Sequence, residues 1–333
     1  MGEPDASVER LCAQTGEIIA QLKQAIVGQD EAMRQVLTAF FAGGHCMITG
    51  VPGVAKTLLI ASLAQLMKLS FKRIQFTPDL MPSDITGTEI LEEDLTTGRR
   101  ELKFVRGPVF ANIVMADEIN RTPPKTQAAL LETMQEKQVT IGGTTYPLEQ
   151  PSFVLATRIP SEQEGTYPLP EAQQDRFMFS VLMDYLGEDD EVTVIKSSTS
   201  TAEVELKPTM EKDELLAYQD LILKVEVPQR LVEYTVDLVS ASRPESQHAP
   251  EFVKKYIAWG GGVRASQYII LGAKAGAAMS GRMAVEPEDI QRVVAPVLRH
   301  RIGLSFRADV DKVTVEDVIA RLAEQMPVPA ASS

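Results

Sequence analysis

Through the first half of the chain, short apolar runs alternate with longer stretches of helical periodicity. Cys46–Thr49, Ile113–Ala116 and Phe153–Ala156 are near-continuous apolar runs, the pattern of strands buried on both faces. Phe71–Phe76 alternates apolar and polar positions, and Phe177–Leu182 is a fifth candidate strand. Cys46–Thr49 leads through a glycine turn into an Ala/Leu-rich helix that reaches about Leu69. Strands alternating with helices predict a parallel sheet flanked by helices. Two hairpins interrupt the rhythm. Val139–Ile141 and Thr144–Tyr146 flank Gly142-Gly143, a two-residue turn that permits positive φ. Glu89–Leu91 and Leu102–Val105 flank an acidic stretch ending in Gly98-Arg99-Arg100.

Residues 187–208 turn acidic and Ser/Thr-rich and lose any long apolar period, which marks a domain boundary. The acidic run Glu188–Glu191 reads as a solvated linker. Beyond it the pattern is helical. Thr209 is placed to cap a helix running to about Lys224, and Pro228 opens another that carries Leu231, Val232, Val236 and Val239. Arg264–Ser280 is Ala-rich and stops at Gly281, and Thr314 with Asp317 resembles a capping box. The prediction is an α/β domain over 1–186, a linker over 187–208 and an all-helical domain over 209–333. No repeat period of ~20–50 residues is present, so solenoids and propellers drop out.

Composition narrows the class. The chain has 333 residues, which at ~150 per domain agrees with two domains. Thirty-three basic against 46 acidic residues give a net charge of −13, which argues against broad binding to a nucleic-acid backbone. Cys12 and Cys46 cannot form a disulfide framework. The first residues carry neither a basic nor an apolar signal region, and no apolar run reaches the ~18 residues of a membrane span. A cytoplasmic protein is expected. His45, His248 and His300 are scattered and lack metal-ligand spacing. Met115, Met134 and Met178 read as core filler, and Trp259 as a packing anchor.

Gly50-Val51-Pro52-Gly53-Val54-Ala55-Lys56-Thr57, continuing into Leu58, lies between a strand and a helix. Small residues let backbone N–H groups close around a phosphate, and a helix N-terminus favours its charge. Lys56 would reach the β/γ-phosphates and the Thr57 hydroxyl a Mg²⁺ ion. Ala55 stands where this pattern asks for Gly. A cation in the first helical turn opposes the macrodipole, so Lys56 is poorly placed unless an anion visits. Ile113–Ala116 runs into Asp117-Glu118; one such acid can hold Mg²⁺ and the next polarise a water for attack on a γ-phosphate.

These stretches, with Ile26-Val27-Gly28-Gln29, Pro82–Thr88, Gly107–Asn112, Ala116–Arg121 and Glu162–Gln173, resemble the MoxR-type AAA+ ATPases. The likeness runs from about Ile26 to Phe306. It implies a P-loop AAA+ parallel sheet followed by a small helical lid, with ATP and Mg²⁺ bound between them. By that resemblance Thr57 and Asp117 are the Mg²⁺ ligands, Glu118 is the catalytic base, and Val27, Gly28 and Gln29 lie by the adenine. Arg176 is the arginine finger acting on a neighbouring subunit's nucleotide, and Arg264 is the lid's phosphate sensor. Residues 86–107 form the family's helix-2 insert, and 138–148 the hairpin before the first sensor. The family further implies a ring, usually a hexamer, that remodels or matures a partner complex, often with a von Willebrand factor A domain protein.

The chain departs from the family at Ala156-Thr157-Arg158-Ile159-Pro160, where the pattern reads Ala-Thr-Gln-Asn-Pro. Ile159 has no polar atom with which to orient a water. Thr157 or Arg158 substitutes, or hydrolysis is slow, or the subunit is an ATP-gated scaffold without effective turnover. Val263 stands where the family has Pro, a smaller departure. A chelatase motor subunit of the same clade fits the motifs as well. Neither a nucleic acid nor a membrane is an expected partner.

Overall fold

In the protein's structure, a computed structural model, residues 6–51, 53–93, 100–158, 165–198 and 204–326 are described. Five strands form the central parallel sheet: β1 (Cys46–Gly50), β2 (Phe71–Gln75), β3 (Ile113–Asp117), β4 (Phe153–Arg158) and β5 (Phe179–Met183). Their spatial order is β2-β3-β4-β1-β5. β4 therefore lies between the strand that enters the phosphate loop and the strand that ends in the acid pair. Ala116 pairs with Ala156 and Thr49 with Arg158, so the C-terminal tips of β3, β4 and β1 end side by side. That edge is where open α/β sheets bind ligands.

Alternate residues of these strands enter two different cores. Ile48, Met115 and Leu155 face one, and Met47, Val114 and Val154 the other. The first core is continuous with the N-terminal helix Ala6–Ala25 and with the helices Gln229–Ala241, Val263–Met279 and Pro287–Leu298. The second lies under the helix Pro124–Glu136 and the Gln138–Ile141/Thr144–Pro147 hairpin. Met115, Met134 and Met178 are buried, as their spacing suggested.

Both expected hairpins form. Gly142 and Gly143 have φ of +57° and +83°, the turn that Gly-Gly allows, and Gly87–Glu93 pairs antiparallel with Arg100–Arg106. Phe104 of the insert stacks on Tyr146 of the second hairpin with ring centroids 4.3 Å apart, tying the two together.

Four expectations change. The helix after the phosphate loop ends at Leu66, because Lys68 turns to φ +47°. The expected linker contains a helix, Glu188–Ser198, whose acidic run Glu188–Glu191 occupies the first turn, where it favours the macrodipole. Thr209 does not cap the next helix. Its hydroxyl accepts from Gln21 Nε2 at 2.8 Å, and the helix begins at Lys212 behind Glu211, whose N–H donates to Glu214 at 3.0 Å. Val236 is 51% exposed and faces outward rather than into the core. Trp259 is exposed on one side and lays its ring against Gly303 on the other. The Thr314/Asp317 capping box is present, with Thr314 accepting from the Asp317 N–H at 3.1 Å.

His45 lies at the foot of β1, buried. Its Nδ1 accepts from the Val154 N–H at 3.1 Å, and a backbone contact to Met134 takes the other side of the ring. Burial lowers its pKa from 6.5 to about 4, with Lys137 adding to the effect. The folded value is depressed, so protonation favours the unfolded chain. The contribution is intact above pH 6.5 and is lost as pH falls toward about 4. Roughly 2 kcal/mol should be gone by pH 5, read as a drop in urea unfolding free energy that shrinks in His45→Gln. An unchanged slope in the variant would contradict it.

Candidate functional site

β1 ends at Gly50 because nothing larger fits: a Cβ there would sit 2.1 Å from the Met183 carbonyl oxygen. The loop then turns through Gly53 at φ +86°, and Ala55 adopts φ +62°, ψ 23° immediately before the helix Lys56–Leu66. Ala55 thus takes the left-handed conformation that the expected Gly would supply, at a cost of about 1–2 kcal/mol. No side chain caps the N-terminus of that helix. Its orphan N–H groups and positive dipole end therefore remain available to an anion. Lys56 Nζ donates to the Gly50 carbonyl at 2.8 Å. Burial lowers the Lys56 pKa, while Asp117 and Glu118 act against the drop. Pro52 lies outside the described residues.

Across from this loop, Thr157 at the tip of β4 organises the acid pair. Its buried hydroxyl donates to Asp117 Oδ1 at 2.6 Å and accepts from the Glu118 N–H at 2.8 Å. The other carboxylate oxygen of Asp117 is taken by Arg73 of β2, with Nε at 3.1 Å and Nη2 at 2.5 Å. Glu118 sits at φ +58°, ψ 49°, a left-handed conformation rare for a non-glycine. Its carboxylate accepts from Gln75 Nε2 at 3.1 Å and pairs with Arg121 at 3.2 Å. Strained backbone held by its surroundings is typical of positions where geometry serves chemistry.

Loop and acids share one cavity of about 800 Å³. Gly50, Val51, Gly53, Ala55, Lys56, Thr57 and Leu58 form one side, and Asp117 and Glu118 the other. Arg73, Arg121, Thr157, Arg158 and Tyr185 complete the walls. This donor set, a hydroxyl and a carboxylate opposite uncapped backbone N–H groups, fits a hard cation carried by a polyphosphate.

Residues 45–179 match the ATPase family associated with various cellular activities (AAA), and 251–322 match the AAA lid domain. The curated protein named Chaperone MoxR1, from Mycobacterium tuberculosis, is 41% identical over 98% of this chain and 86% of its own length. The chain belongs to the MoxR family of AAA+ ATPases. YeaC of Bacillus subtilis, a protein without an assigned role, is 38% identical over 94% of each chain. A crystal structure from Cytophaga hutchinsonii, provisionally described as an ATPase, aligns with a TM-score of 0.88 at 41% identity over 97% of each chain.

Other residues singled out by the MoxR resemblance stand apart from the cavity wall. Gln29 Nε2 donates to the Asp184 carbonyl at 2.9 Å, next to the wall residue Tyr185, and Gly28 abuts Leu186 and Asp190. Val27 is half-buried beside them. Arg264 is paired with Asp175, its Nη1 2.5 Å from Asp175 Oδ2, and does not line the cavity. The half-buried Arg176 side chain has no ion pair among the described residues, although its carbonyl accepts from Tyr268 at 3.3 Å. Ile159, at the departed sensor position, lies outside the described residues.

The sequence gives no sign of two further side chains at this MoxR site, Arg73 and Gln75, whereas Arg158 is a candidate to replace the missing sensor. Arg73 and Gln75 reach the acids only because β2 pairs with β3 in the register that sets Gln75 opposite Asp117. Arg158, mostly buried, donates through Nε to Thr49 at 2.8 Å, and burial lowers its pKa.

Thr157→Val keeps the shape of the side chain but strips partners from the Glu118 N–H and Asp117 Oδ1. A loss of about 1–3 kcal/mol in unfolding free energy is expected from denaturant titration. Unchanged stability would show that the hydroxyl does not join these two residues.

Proposed function

We propose that this MoxR-family chain binds ATP with Mg²⁺ in the cavity and hydrolyses it to ADP and phosphate. What carries the reading is the meeting of the uncapped helix with Lys56 and the Asp117-Glu118 pair in one cavity. The loop 50–58 would hold the phosphates through its backbone and Lys56. Thr57 and Asp117 would hold the Mg²⁺, which when bound neutralises charge on the phosphate oxygens. Glu118 would accept the proton of the attacking water, its position fixed by Thr157 and Gln75. Val27, Gly28 and Gln29 would border the base. The division of labour we infer is a nucleotide-binding part over 1–186, a connector over 187–208 and a lid over 209–333.

Arg176 would act on a neighbouring subunit's nucleotide, which calls for a ring, with six subunits as the expected number. Its lack of an ion partner within the described chain supports that role. Arg264 would serve as the lid's sensor only after leaving Asp175. Turnover would drive relative motion of lid and core, with remodelling or maturation of a partner protein complex as the output. The relative named a chaperone points the same way. A von Willebrand factor A domain protein is a candidate partner. No helix among the described residues is long and apolar enough to cross a membrane, and the −13 charge disfavours a nucleic acid. We place the protein in the cytoplasm.

Ile159 favours a second reading, an ATP-gated scaffold with little turnover. One comparison separates the two. Glu118→Gln should cut Mg²⁺-dependent phosphate release by about 100-fold or more while still binding a fluorescent ATP analogue. Wild-type release no faster than that of the variant would leave the scaffold reading standing.

A further inference from the structure

Both oxygens of the Asp117 carboxylate are engaged by side chains of the protein itself. Thr157 donates to Oδ1, and the Arg73 guanidinium sets two N–H groups on Oδ2 while its Nη2 also donates to Gln75 Oε1 at 2.9 Å. The Asp117 side chain is 13% exposed. A carboxylate so enclosed is costly without a positive partner, and a forked guanidinium is a strong one. A divalent cation needs the lone pairs that Arg73 occupies, and two positive charges within a few ångströms repel. Cation and guanidinium therefore exclude each other at Oδ2.

The exchange has somewhere to go. The Arg73 side chain is 48% exposed and lines the same cavity as the phosphate loop, so it can swing without opening the core. A polyphosphate in that cavity would offer a displaced guanidinium a new anion. A bare cation would offer it none. Arg121 stands in a similar relation to Glu118, at 3.2 Å, so each acid of the pair is matched by an arginine.

We propose that Arg73 is a resident counter-ion that competes with the divalent cation for Asp117, so that the free site resists bare metal and admits it together with a polyphosphate. This inference rests on the cavity being the Mg²⁺–ATP site. Arg73 is a positioning residue here, acting through Asp117, and the test reads binding rather than turnover.

The experiment titrates MnCl₂ into nucleotide-free protein by electron paramagnetic resonance, and separately measures the Mg²⁺ midpoint for binding N-methylanthraniloyl-ATP. Arg73→Met should bind Mn²⁺ on the order of tenfold more tightly than wild type and lower the Mg²⁺ midpoint by a similar factor. Arg73→Lys, which keeps the charge without the fork, should fall between the two and guards against a variant that fails to fold. Superimposable titrations for wild type and a folded variant would overturn the counter-ion role. If wild type fails to bind the ATP analogue at any Mg²⁺ concentration, the functional reading falls, and the Mn²⁺ comparison alone then decides the role of Arg73.

Discussion

One carboxylate, Asp175, fixes how the helical C-terminal part sits against the sheet. Arg301, whose side chain is 2% exposed, places Nε 2.8 Å from Asp175 Oδ1. It also donates to the carbonyls of Asp175, Phe177 and Met178, and to Val297 in its own helical region. Burial alone would push this guanidinium toward neutrality; Asp175 is the main force against it. A buried arginine so surrounded can be satisfied in one arrangement only, because the planar fork must meet several acceptors at once. The other oxygen of Asp175 holds Arg264. The residue that locks the two parts together is thus also the one that pairs with Arg264. Release of Arg264 need not disturb Arg301, since they use different oxygens.

The same economy governs the site itself. Thr157 supplies one hydroxyl to two neighbouring groups, and through it β4 sets both the carboxylate of Asp117 and the backbone of Glu118. The strained conformations of Ala55 and Glu118 both line the cavity, Ala55 where the loop enters its helix and Glu118 where β3 gives way to a turn. Every acid there already has a cationic or hydrogen-bonding neighbour. In electrostatic terms the cavity is prepared for exchange: charged ligands replace internal partners rather than meeting bare charges.

The sequence pattern revealed much of this. Continuous apolar runs marked the strands, because strands buried on both faces have no polar side to write into the chain. Gly50 and Gly53 marked the loop, and Gly142-Gly143 the hairpin. Lys56 is conspicuous in the sequence because a cation in the first helical turn opposes the macrodipole. What could not be read were pairings set by register across the sheet. Arg73 looks like an ordinary polar position of an alternating strand until β2 is laid beside β3. Arg301 looks like one of several basic residues near His300 until four carbonyls and one carboxylate converge on it. The helix Glu188–Ser198 escaped because it buries too little to show an apolar period, and its acidic start resembles a linker as much as a first turn. At the Val27–Gln29 turn, Gly28 and Gln29 contact the segment after β5 rather than the cavity wall, a placement that no local motif reveals.

The central claim is that ATP turnover belongs to an assembly in which one subunit's Arg176 completes the site of the next. Mixing two singly inactive proteins tests it most directly. Glu118→Gln lacks the base but keeps Arg176, whereas Arg176→Ala lacks the finger but keeps Glu118. Some sites in mixed rings then carry a wild-type pair. Phosphate release from an equimolar mixture should rise well above that of either variant alone, and increase with total protein concentration. A mixture that stays at the sum of the two separate backgrounds, under conditions where wild type turns over, would contradict the account.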